Sequence, residues 1–121
     1  MQKGNGMDFV IVWELRARKG MEIAFEAAYG SEGDWARLFR TSPEYVRTEL
    51  LRDASDNGRY LTIDVWSSAA EYENFRASYR EEYEKIDAAC EAMTEEEHEI
   101  GRFQRGVKFG DGERRSCEIH A

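Results

Sequence analysis

A chain of 121 residues is long enough for one domain with a substantial core and too short for two. With 25 acidic against 17 basic side chains, the net charge of −8 opposes binding to a nucleic-acid backbone, which needs concentrated positive charge. No run approaches the ~20 apolar residues that span a bilayer, and the opening Met1 to Met7 has no apolar stretch of signal-peptide length, so a soluble, cytoplasmic protein with neither nucleic-acid nor membrane partner is expected.

After a flexible N-terminus over residues 1–7, a first strand is predicted from Asp8 to Leu15. Phe9, Ile11, Trp13 and Leu15 lie on one face, Val10 and Val12 on the other, and Arg18-Lys19-Gly20 ends the run. Met21, Phe25 and Tyr29, with Ala24 and Ala28 beside them, recur at helical spacing and predict a helix from Met21 to Tyr29. Gly30 and Gly33 interrupt it. A short helix from Asp34 to Arg40 then buries Trp35, Leu38 and Phe39, with Asp34 as cap or first-turn acid, and Pro43 stops the helical run. The small residues of Gly30-Ser31-Glu32-Gly33-Asp34 do not make a phosphate loop, since the spacing and lysine are missing and two acids would repel phosphate.

A strand from Val46 to Arg52, with Val46, Thr48 and Leu50 on one face, leads through Asp53 to Gly58 into an antiparallel strand from Arg59 to Trp66. Asn57-Gly58 is expected to supply positive φ at the turn. In the second of these strands Leu61, Ile63 and Val65 face one way, and Tyr60, Thr62, Asp64 and Trp66 the other. Ser68 and Glu71 form a capping-box pair at the start of one long helix. Its stripe of Tyr72, Phe75, Tyr79, Tyr83, Ile86, Cys90 and Met93 should lie on the sheet, and its buried tyrosine hydroxyls need partners or a wet cavity. A last strand, about Glu99 to Gln104, precedes a polar C-terminal tail over residues 105–121. Residues 81–99 carry nine acids and one lysine, which reads as a solvated face.

The order β-α-β-β-α-β is that of an α+β, ferredoxin-like domain over residues 8–104, a four-stranded antiparallel sheet with its helices on one face. The first strand is apolar on both faces, and the chain has nothing left to cover the second, so the sequence predicts a homodimer.

Phe9-Val-Ile-Val-Trp-Glu-Leu, Gly33-Asp34-Trp35, Thr48-Glu49-Leu50-Leu51 and Asp64-Val65-Trp66 with Tyr72 and Phe75 together resemble the antibiotic biosynthesis monooxygenase family over residues 8–103. The resemblance implies a dimeric α/β barrel made by pairing two sheets, with a pocket between each sheet and its helices. It also implies an oxidoreductase that attacks a small aromatic substrate (phenol, quinol or polyketide-like) with molecular oxygen and no metal or other cofactor. Related proteins degrade haem with a first-strand asparagine, a tryptophan ending the third strand and a histidine on the next helix. Trp66 matches the tryptophan, but Trp13 and Arg76 stand at the other two places, and His98 and His120 lie elsewhere. A tyrosine such as Tyr79 could ligate iron in principle. Neither histidine has the context of a catalytic triad, and no His, Asp and Glu set converges at metal-ligand spacing, so no metal is expected.

For oxygenation, Asp64 is the candidate base, Arg76 the cation for an anionic oxygen and Tyr72 or Tyr79 the hydrogen-bond donor. Trp13, Trp35, Trp66 and Tyr72 are the candidate walls of the substrate pocket. Two alternatives stand beside this reading: a non-catalytic small-molecule-binding or structural homodimer, favoured by the missing asparagine and histidine, and a haem-binding protein. Cys90 and Cys117 form neither a disulfide framework nor a metal pair at their spacing.

Overall fold

The computed structural model describes residues 8–105. The expectations placed on residues 1–7, on Cys117 and His120, and on the tail beyond Arg105 lie outside the described residues. Strand β1, Phe9–Ala17, is central. It pairs antiparallel with β3, Arg59–Trp66, on one side and with β4, Thr94–Gln104, on the other; β2, Tyr45–Arg52, pairs antiparallel with β3 to give the order β2-β3-β1-β4. The register sets Phe9 opposite Trp66, Ile11 opposite Asp64, Trp13 opposite Thr62 and Leu15 opposite Tyr60, so these side chains share one face. On that face pack α1, Glu22–Tyr29, and α2, Asp34–Phe39. Helices α3, Ala69–Ser78, and α4, Arg80–Cys90, complete the layer. This is the expected ferredoxin-like arrangement.

The core beneath the helices is mostly aromatic. Trp66 is fully buried, with Phe39, Tyr45 and Tyr72 edge-on at 5.5, 5.4 and 5.5 Å between ring centroids and Phe75 at 5.0 Å. At the other end of the sheet Phe25 stacks on Tyr29 at 4.3 Å and meets Tyr60 at 4.6 Å. Gly33 sits so close to the end of α1 that a Cβ would collide with the carbonyl oxygens of Ala27 and Ala28. Only glycine lets α2 begin there and turn Trp35 into the core.

Several local expectations are corrected. The single long helix is two, because Tyr79 leaves helical geometry at φ −114° and ψ 32°. Tyr79 stacks on Phe75 at 4.8 Å, and beyond it α4 packs toward α2, whereas α3 packs on β3; one straight helix could not serve both contacts. Strand β4 starts at Thr94, five residues earlier than expected, because pairing with β1 outweighs the poor strand propensity of Glu95 to Glu97. Two register shifts in that pairing leave Glu95 and Ile100 without opposite residues. A shift at the start of β2 leaves Val46 unpaired and puts Tyr45, rather than Val46, on the helix-facing side with Thr48. Among the described residues only Gly20 has positive φ, so the turn before β3 does not use Asn57-Gly58 as expected. It is closed instead by Asp53 and Asp56, whose carboxylates accept from the N–H groups of Ser55 and Gly58. Ser68 does cap α3, accepting from the N–H of Glu71 at 3.2 Å, and Asp34 is a first-turn acid paired with Arg37.

Candidate active site

Between sheet and helices lies a cavity of about 60 Å³. Its floor comes from strand positions that alternation points toward the helices: Trp13 and Leu15 of β1, Thr48 of β2, Thr62 and Asp64 of β3, and Glu97 of β4. Its roof is Tyr29 of α1, Trp35 and Phe39 of α2, and Tyr83 and Asp87 of α4. The space admits a few water molecules and is smaller than the ~150 Å³ at which an apolar cavity takes up benzene.

Asp64 is the cavity carboxylate that this setting alters most. Burial pushes its carboxyl up from 3.8 to about 6, and the hydrogen bond from Thr48 opposes the shift. The Thr48 hydroxyl donates to Asp64 Oδ1 at 2.6 Å and accepts from the Tyr45 hydroxyl at 2.7 Å. This directional chain fixes the carboxylate against β2 while the rest of the group borders the cavity. A carboxylate titrating near neutrality can take a proton from an acidic hydroxyl and give it back. Burial likewise raises Glu97, helped by Asp87 and Glu91. With Asp64, Asp87 and Glu97 all bordering the space, it suits a neutral ligand that becomes an anion only by handing its proton to one of them.

The structure brings together Asp64, Trp13 and Trp35 among the sequence candidates. Trp66 and Tyr72 lie in the aromatic core and do not border the cavity. Arg76 lies outside it, in a groove with Arg80, Arg102 and Glu73. Tyr79, half-buried against Phe75, is at the helix break and also away from the cavity. Thr48 and Tyr83, which sequence reasoning did not select, are at the site. The signal for Thr48 was a threonine on the inward face of a strand beside an inward aspartate; Tyr83 was visible only as one tyrosine in a stripe. Among the described residues, no cluster of three or more His, Cys, Asp or Glu side chains is arranged to hold a metal. Among them, too, no helix is long and apolar enough to cross a membrane.

An open antiparallel sheet with four helices on one face and a cavity between the layers defines a ferredoxin-like α+β protein with an internal site. A profile of the antibiotic biosynthesis monooxygenase family matches residues 8–96, and the chain belongs to that family. Solved structures agree on the fold. SnoaB from Streptomyces nogalater, described as a cofactor-independent oxygenase, superposes with a TM-score of 0.67 at 21% identity, covering 87% of this chain and 99% of that one. PA3566 from Pseudomonas aeruginosa does so with a TM-score of 0.59 at 16% identity, covering 85% and 96%. A search of curated proteins returns no match. Membership supports a monooxygenase-type function at the level of the family.

Proposed function

We propose that the protein is a cofactor-independent monooxygenase that oxidises a small phenol, quinol or polyketide-like aromatic with molecular oxygen, with Asp64 as the base. The observation that carries this is the placement of the Asp64 carboxyl, held by one hydroxyl at the wall of a cavity that Trp13, Trp35 and Phe39 help to line, where burial raises it. Asp64 takes the phenolic proton, which moves its negative charge onto the ring without adding charge to the cavity. A ring carbon of the anion then bonds to dioxygen, and the resulting peroxide takes the proton back from Asp64. Loss of the hydrogen on that carbon and cleavage of the O–O bond leave a carbonyl and release water. The substrate supplies all four electrons that reduce dioxygen; one oxygen atom stays as the new carbonyl and the other leaves as water. Trp13 and Trp35 would flank the ring and exclude bulk water.

The assembly in this proposal is a homodimer. The sheet face away from the helices carries Val12, Leu61 and Ile63 with exposed Leu51 and Phe103, and a second sheet laid on it would bury them.

Incubation with a panel of phenols and quinols under isotopically labelled dioxygen tests the activity. One labelled atom in a quinone product supports it; no product from any member contradicts it. A second reading, a non-catalytic binding protein, is favoured by the small cavity and by the burial of Trp66 within the core. Ligand binding without oxygen uptake would select it.

A further inference from the structure

Among the described residues, Tyr83 alone borders both the inner cavity and the outer groove of about 510 Å³ that contains Arg76. Its ring meets Trp35 edge-on at 4.8 Å on the inner side and carries the Arg76 guanidinium at 3.9 Å from its centroid. Among the described residues its hydroxyl makes no hydrogen bond, so packing rather than a side-chain hydrogen bond holds the ring in place. The helix that bears it, α4, has a single fully buried residue, Cys90, at its far end.

In the groove, Arg80 pairs with Glu84, and Arg102 pairs with Glu73 and Glu99. Arg76 is in no ion pair among the described residues. Its guanidinium donates to the Tyr72 hydroxyl at 3.0 Å and otherwise lies on the Tyr83 ring, with Glu73 acting on it only at longer range. In an acidic chain, a half-buried guanidinium without a carboxylate is poised for an anion. The other flank of the cavity is the reverse: Asp87 and Glu97 continue there into Glu91, Glu95 and Glu96, which would repel one.

Resting on the oxygenase reading, we infer that the substrate is an aromatic acid: its anionic group docks on Arg76 in the groove, its ring displaces Tyr83, and its hydroxyl reaches Asp64. Displacement of Tyr83 joins the two spaces, which resolves the mismatch between a 60 Å³ cavity and an aromatic ring. Arg76 therefore selects for charge at the far end of the ligand, while Asp64 acts on the hydroxyl at the near end.

Tryptophan-fluorescence titration with para-coumarate and its neutral methyl ester tests this. The acid should bind roughly tenfold more tightly than the ester. Arg76→Gln should remove the preference, and Arg76→Lys, which keeps the charge, should retain part of it; thermal melts establish that each variant is folded. Tyr83→Ala should speed association of the acid several-fold. Equal binding of acid and ester, a preference that survives Arg76→Gln, no binding of the acid at millimolar concentration, or an association rate unchanged by Tyr83→Ala would overturn the inference. Oxygen uptake measured in the same samples separates the two claims. A charge preference without uptake with any phenol leaves the docking site standing and removes the oxygenase reading; uptake without the preference does the reverse.

Discussion

Thr48 controls how strongly Asp64 holds its proton, since its hydroxyl is the group that offsets burial of the carboxylate. Thr48→Val should push Asp64 higher, moving the acid limb of the pH–rate profile up by as much as about one unit. In the proposed reaction the same carboxyl links activity to stability. Its pKa is raised on folding, so the stability it contributes is fully present below the ordinary carboxylate pKa and is lost as pH rises through about 6. The loss is about 3 kcal/mol if Asp64 acts alone. Asp64→Asn removes that penalty, and chemical denaturation should show a gain of about 1–2 kcal/mol at pH 8 and little change at pH 4. A variant no more stable at pH 8 than the parent would mean that the carboxylate is solvated. Strand alternation set Asp64 and Trp66 on one face, and in the structure Asp64 borders the cavity while Trp66 does not, because the rule tells the side of a sheet but not whether helix side chains fill the space above it.

At the scale of elements, the sequence signals that worked were those with a local mechanism. Ser68 and Glu71 marked the start of α3, and Ser68→Ala should cost about 1 kcal/mol in denaturant titration. Gly33→Ala should cost more, because the colliding atoms are backbone oxygens that cannot move aside, and a loss below that of Ser68→Ala would show that the α1–α2 junction can relax. The helix break at Tyr79 left no trace in the spacing of apolar residues, which continues through it at intervals of three and four. No proline or glycine stands there; competing contacts of α3 with β3 and α4 with α2 bend the chain, and such contacts are invisible before the sheet exists. The length of β4 was hidden for a similar reason, since an acidic run reads as solvated whether it lies on a helix or an edge strand.

For the whole molecule, the fold class followed from element order, and the proposal of a homodimer rests on the apolar face that the helices leave uncovered. Light scattering at micromolar protein should give a mass of about 28 kDa, twice the chain's 14.1 kDa. Ile63→Lys, placing a charge on that face, should shift the protein to 14.1 kDa while its circular dichroism stays that of a folded chain. A parent protein that runs as a monomer would contradict the dimer. What the sequence could not give was the cavity, because its volume is the difference between two packed layers, each of which was read separately.

The role proposed for Asp64, as the base for reaction with dioxygen, is tested by the pH dependence of oxygen uptake by the parent protein and by Asp64→Asn, with the most reactive phenol of the panel. The expected result is a rate that rises with pH through an apparent pKa near 6, where ionised Asp64 becomes available, and that is lower by a factor of about 10² or more in the variant above that pKa, with the difference narrowing below it. Uptake by Asp64→Asn at the parent's rate, with the same pH profile, would contradict it.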